Sequence, residues 1–112
     1  MSDQLQITEI IVGDGKETVK GALLVVHYDG YLEDGTKFDS SRDKGVPFRF
    51  VFGTGRVIKG WDQGLVGMKV GGQRELVVPA HLAYGDRKVG DLIPANSNLM
   101  FEVELLEVLV RG

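Results

Sequence analysis

The stretch Arg56-Val57-Ile58-Lys59-Gly60-Trp61-Asp62 constrains this chain more than any other. It opens the one convincing helical pattern in a sequence that otherwise reads as strands. Val57, Ile58, Trp61 and Leu65 fall at helical spacing and would share one face of a helix from about Val57 to Val66. Gly60 and Gly64 cost such a helix about 1 kcal/mol each relative to alanine, so packing has to hold it. Gly60 would also let the helix approach a neighbour closely. One short helix among several strands has an obvious use, which is to cover the concave face of a twisted sheet. The sheet would then meet Trp61, the only tryptophan, as the floor of a small apolar pocket. Spacing alone reaches a small β-rich domain with an aromatic pocket.

The strands follow from alternation. Leu5 to Val12 is a first strand, and Gly13-Asp14-Gly15-Lys16 is expected to be a hairpin turn. Ala22 to Leu32 is the strongest strand, with Leu24, Val26 and Tyr28 on one face and Leu23, Val25 and His27 on the other. An Asp34-Gly35 turn returns the chain as Lys37-Phe38-Asp39-Ser40, bringing Phe38 and Asp39 back near Tyr28 and Tyr31. Ser41 to Gly45 is polar and loop-like. Phe48, Phe50 and Phe52 alternate on one face of the next strand. Gln73 to Val78 is a strand ended by Pro79, Ala80 to Gly85 is long enough for one helical turn, and 86–98 is a long loop, a common seat of function. Leu99 to Leu109 closes the sheet, with Leu99, Phe101, Val103 and Leu105 inward and Met100, Glu102 and Glu104 outward. With no repeat or linker, 1–112 is expected to be a single domain, its core between about residues 19 and 109 and a strand added over 5–12.

Several chemistries are excluded or disfavoured. There is no cysteine, so disulfides and thiol catalysis are out. Thirteen basic against sixteen acidic residues give −3, which argues against a nucleic-acid binder. No apolar run approaches a membrane span and no signal peptide is visible, so a cytoplasmic location is expected. His27 and His81 are isolated and lack metal-ligand spacing, so neither a metal nor another cofactor is expected. Ser40 and Ser41 adjoin Asp39, but no histidine lies near them in sequence. Gly13-x-Gly15 and Gly53-x-Gly55 both lack the third glycine of a nucleotide loop.

What remains is a concentration of aromatic residues from separate segments: Tyr28, Phe38, Phe48, Phe50, Trp61, Tyr84 and Phe101, with Val57 and Ile58. Alternating aromatics usually build a core. Here several flank loops, and Tyr28, Trp61 and Tyr84 carry polar tips that want partners. An apolar pocket with a few polar groups is the usual form of a ligand site.

At these residues the sequence resembles the FKBP-type peptidyl-prolyl cis-trans isomerases, the immunophilins that bind rapamycin and tacrolimus. The matching stretches are Val26-His27-Tyr28-x-Gly30, Gly35-x-Lys37-Phe38-Asp39-Ser40-Ser41, Pro47-Phe48-x-Phe50, Val57-Ile58-x-Gly60-Trp61-Asp62, Gly71-Gly72-Gln73-Arg74, Ala83-Tyr84-Gly85, Ile93-Pro94 and Leu99-x-Phe101-x-Val103-Glu104-Leu105. They run in order over nearly the whole chain, and the fold the resemblance implies is α+β: a twisted antiparallel β-sheet wrapped around one short α-helix. The resemblance implies a ligand-binding pocket at Tyr28, Phe38, Asp39, Phe48, Val57, Ile58, Trp61, Tyr84, Ile93 and Phe101. It implies catalytic roles for Phe38, Asp39 and Tyr84. Trp61 would lie under the proline ring, with Tyr28, Phe38 and Phe101 as walls. The Ile58 N–H and the Tyr84 hydroxyl would hold ligand carbonyls, and Asp39 would sit at the pocket edge with Arg42 as its charge neighbour.

The resemblance further implies a minimal, monomeric isomerase acting on proline-containing peptides and unfolded proteins, assisting folding and inhibited by rapamycin and tacrolimus. A different class, a non-catalytic module that binds proline peptides, would use the same pocket. Retention of Asp39 favours activity, because a module that only binds is free to lose it. A general chaperone would need an extra apolar surface for which no segment is spare. The chain departs from the family's well-known eukaryotic members at Val89-Gly90, where a His-Pro pair is common; this bears on substrate preference.

Overall fold

A computed structural model of the chain describes residues 4–110. Six strands form one antiparallel sheet: β1 (Gln6–Ile11), β2 (Leu23–Leu32), β3 (Lys37–Ser40), β4 (Phe48–Val51), β5 (Gln73–Val78) and β6 (Leu99–Leu109). The order is β1-β5-β6-β2-β3, and β4 also pairs with β2. β4 lies beside Leu23 to Val26, while β3 lies beside Asp29 to Tyr31. The two short strands thus share one edge of β2.

Alternation accounts for the long strands. Along β6, Leu99, Phe101, Val103 and Leu105 are buried, as their period-two spacing predicts. The register shifts between Val25 and Val26, so that Val25 faces Glu107 and Val26 faces Leu105. This bulge resets the phase, and Val108 is buried next. On β2, Leu24, Val26 and Tyr28 enter the same core.

The main helix, α2, spans Lys59–Gly64, shorter than the 57–66 that spacing suggests. Ile58 is extended, with φ −59° and ψ 150°, and no side chain caps the first turn. Val57 and Ile58 therefore precede the helix instead of opening it. The two glycines explain how α2 seats itself on β5. A Cβ on Gly60 would lie 2.4 Å from Val78 Cγ1, and one on Gly64 would lie 2.9 Å from Leu76 Cδ1 and Cδ2. Both glycines permit a close approach, as proposed for Gly60 from sequence. Gly60→Ala is accordingly expected to lower stability by about 1–3 kcal/mol through overpacking, although alanine favours a free helix by about 1 kcal/mol. Urea unfolding measures the sign; a stabilised variant would show that the contact relaxes.

Two local expectations are corrected. Residues 41–45 are not a plain loop: Ser41–Lys44 form a one-turn helix, α1. Ser40 Oγ accepts the Asp43 N–H at 3.1 Å, and Gly45 ends the turn with φ 72°. Gly13 to Lys16 is not a hairpin turn either. The segment lies beside 68–72 with a bend at Gly15, Gly15 N donating to Val70 O at 3.0 Å and Val70 N to Lys16 O at 2.9 Å. β1 pairs with β5, far along the chain, so no hairpin follows it.

Ala80–Leu82 form a single 3₁₀ turn, matching the expected helical turn. The 86–98 loop is tied at several points. Val89 and Ile93 bond to each other, Asn96 N donates to Gly85 O at 2.8 Å, and Asn98 Oδ1 accepts the Ala80 N–H at 2.9 Å.

Candidate functional site

Four strands, α2, the approach to it and the loop after the 3₁₀ turn deliver side chains to one cavity of about 170 Å³. Its lining is Tyr28 from β2, Asp39 from β3, Phe48 from β4, Trp61 from α2, Phe101 from β6, and Arg56, Val57, Ile58 and Tyr84 from loops. Trp61 is 4% exposed. Tyr28, Phe101 and Phe48 stand nearly perpendicular to its indole, at centroid distances of 5.0, 5.4 and 5.9 Å. Such edge contacts add about 0.5–1.5 kcal/mol each beyond burial and fix the rings in a box. The Trp61 indole N–H is buried and finds no hydrogen-bond partner among the described residues. An unpaired buried donor costs about 1–3 kcal/mol, a cost native folds tolerate chiefly at functional positions.

The structure brings together eight of the ten residues expected at the pocket. Phe38, half-buried, is outside that lining, its ring edge-on to Phe101 at 5.7 Å. Gly30 makes room for both: a Cβ there would meet Phe38 Cζ at 2.7 Å and Phe101 Cε1 at 3.1 Å. Ile93 is in the core, 4% exposed, and does not line the cavity. Its exposed neighbour Leu92 takes the outer position.

Asp39 is the polar centre. Its Oδ2 accepts the Tyr28 hydroxyl at 2.5 Å, and its Oδ1 accepts the Ser40 N–H at 2.9 Å and faces Lys44 Nζ at 2.8 Å. Arg42, expected beside Asp39, pairs instead with Asp29 at 3.1 Å and Glu104 at 2.7 Å. The α1 turn explains the exchange, because it swings Lys44 rather than Arg42 to the pocket side. Partial burial pushes the Asp39 carboxyl up, but Lys44, the Tyr28 hydroxyl and the Ser40 N–H together hold it below the usual carboxylate value. Burial, then the Asp39 hydrogen bond and charge, pushes the Tyr28 phenol well up. Burial and the Asp39 charge also raise Tyr84. At neutral pH the site therefore holds one carboxylate and two protonated phenols.

The sign of the pH effect follows. A depressed carboxyl contributes stability that is fully present above its unfolded value, about 4, and is lost as pH falls through the lower folded value. Urea stability measured from pH 7 to pH 2.5 should fall less steeply below about pH 4 in Asp39→Asn than in the parent. Parallel curves would mean that Asp39 is not held low.

Two donors at the pocket have no acceptor among the described residues: the Ile58 backbone N–H and the Tyr84 hydroxyl. His27 Nδ1 lies 2.9 Å from Ser41 Oγ, a proximity invisible in sequence. Ser41 Oγ also accepts the Tyr28 N–H at 2.7 Å, and Ser41 is buried, so the pair holds β2 to α1 rather than presenting a nucleophile. Among the described residues no cluster of acidic, histidine or cysteine side chains could hold a metal. Arg56 is the lining residue that sequence reasoning missed. The signal available was its place directly before Val57, on the same approach to the helix.

A short helix laid on an antiparallel sheet over an aromatic box defines a known class. The chain belongs to the FKBP-type peptidyl-prolyl cis-trans isomerase family, whose model matches residues 15–106. It is 53% identical to the FK506-binding protein of Neisseria meningitidis serogroup A, over 93% of this chain and 95% of that one. It is equally 53% identical to FK506-binding protein 1A of Neurospora crassa, over 95% of this chain and 89% of the relative. The crystal structure of AtFKBP13 superposes with a TM-score of 0.88 at 44% identity, covering 93% of this chain and 92% of its own. FkpA from Escherichia coli matches with a TM-score of 0.86 at 43% identity, but this chain covers only 48% of it.

Proposed function

We propose that the cavity over Trp61 accelerates rotation about X–Pro peptide bonds. The observation that carries this reading is a perpendicular aromatic box with two unengaged donors, Ile58 N–H and Tyr84 OH, beside one carboxylate. An X–Pro bond isomerises over a barrier of about 18–20 kcal/mol, taking tens to hundreds of seconds unaided. A planar amide is strongly dipolar through resonance. The twisted transition state has lost that resonance and gives up less solvation on entering an apolar site. A dry box therefore binds the twisted form better than either planar isomer, which is what catalysis requires. The free donors hold neighbouring substrate carbonyls, and Asp39 keeps Tyr28 oriented in the wall. No covalent step is needed.

Rapamycin and tacrolimus would occupy the same box and inhibit. The test is the cis-to-trans rate of a Leu-Pro-Phe peptide with and without rapamycin. Acceleration abolished by the drug supports enzyme and pocket together. Folded protein that binds rapamycin but gives no acceleration would replace the enzyme with a proline-binding module.

A further inference from the structure

Val57, Ile58 and Tyr84 wall two cavities, not one. On one side they close the aromatic box. On the other they border an open groove of about 500 Å³, completed by Gly55, Lys59, His81, Ala83, Gly85 and Arg87. The groove therefore continues the box outward. Its lining holds two permanent cations and a histidine, and no carboxylate. Arg56 stands in the wall of the box that adjoins it.

These cations are free. Lys37, Arg42, Lys44, Arg74 and Lys88 each have a carboxylate within 4.0 Å, whereas among the described residues Arg56, Lys59 and Arg87 have none, as is true also of Lys16, Lys20, Arg49 and Lys69; what sets Arg56, Lys59 and Arg87 apart is that they meet along one concavity. Asp86 and Asp91 belong to the same loop as Arg87, but neither lines the groove, and Asp91 lies 3.8 Å from Lys88. Asp39 lines the box and is already engaged by Lys44. In a chain of net charge −3, unpaired cations gathered beside the reacting site run against the overall balance. A concave, single-sign lining concentrates a potential that attracts the opposite charge.

We infer that this groove receives the substrate segment flanking the proline and selects acidic side chains there. The inference rests on the isomerase reading and adds a substrate class to it. An extended segment rises about 3.3 Å per residue, so the favoured glutamate or aspartate falls within about three residues of the proline, on one side of it.

The experiment compares kcat/KM for peptides with a Leu-Pro-Phe core carrying Glu, Gln or Lys at the first and second positions beyond the core, two and three residues from the proline, on either side. The expected result is an advantage of Glu over Lys of about fivefold at low ionic strength, on one side only, given modest exposed ion pairs. It should shrink at high salt, where charges separated by more than a few ångströms are screened. It should vanish in Lys59→Gln/Arg87→Gln, with Arg87→Gln alone showing a partial loss. Equal kcat/KM for Glu, Gln and Lys peptides would overturn the groove and leave the isomerase standing. A preference that survives both substitutions would likewise overturn it. No acceleration of any peptide would overturn the isomerase reading and this selection with it.

Discussion

Asp39→Ala is expected to lower kcat/KM for a Leu-Pro peptide by about tenfold to a hundredfold while the protein still folds. The carboxylate accepts the Tyr28 hydroxyl, and Tyr28 meets Trp61 edge-on at 5.0 Å. Removing it leaves a buried phenol without an acceptor and removes the one negative charge of the box. A lost charge-assisted bond is worth about 1.5–3 kcal/mol, and each 1.4 kcal/mol is a factor of ten in rate. Asp39→Asn separates the two contributions. It keeps an acceptor for Tyr28 but no charge. An activity near that of the parent would assign Asp39 a purely orienting role, whereas a loss as large as in Asp39→Ala would assign the effect to the charge. Folded Asp39→Ala with full activity would remove Asp39 from the mechanism.

Arg74→Met should give a large loss of stability, about 2–4 kcal/mol, with a melting temperature lower by roughly 10 °C or more. Arg74 is 7% exposed on β5. Its Nη1 donates to Gly64 O at 2.9 Å and Val66 O at 2.7 Å, and its Nε donates to Glu9 Oε1 at 2.7 Å. One guanidinium thus ends α2, ties it to the sheet and holds β1 alongside. Methionine fills much of the volume but leaves the two carbonyls without their donor. Arg74→Lys should recover only part of the loss, since one ammonium on a flexible stem cannot reproduce the planar fork. Glu9→Gln should cost less, because Glu9 is on the exposed edge strand. Urea unfolding of the three variants checks the order; an Arg74→Met loss below about 0.5 kcal/mol would mean that water replaces the donor.

The sequence was most legible where one physical pattern governed one element. Period-two alternation placed Phe101, Val103 and Leu105 inward on β6, and the Asp34-Gly35 turn returned Asp39 to Tyr28. Trp61 was recognisable as the centre because a lone helical pattern among strands has few places to go. Legibility failed where a long side chain chooses among partners. Nothing in the order Arg42-Asp43-Lys44 states that α1 will turn Lys44 to Asp39 and leave Arg42 to Asp29 and Glu104. Arg74 sits at an ordinary inward strand position, and only the end of α2 reveals why a guanidinium is buried there. The resemblance put Ile93 with Leu92 on an apolar pocket rim, yet its backbone bonds with Val89 accompany a side chain buried in the core. The hairpin expected after β1 failed for a different reason: strand order in this sheet is not chain order.

That strand order also bears on when the molecule becomes competent during synthesis. β6 lies between β5 and β2, and its Phe101 sits opposite Gly30 and Leu76. Until β6 leaves the ribosome, β2 and β5 lack their common neighbour and the box lacks a wall. Such distant pairings bear the entropy of closing long loops before contacts reward it, so they form late and slowly. A nascent chain stopped before Leu99 would therefore expose its aromatic residues without offering a proline-sized cavity. Competence arrives in a single step, with the final strand.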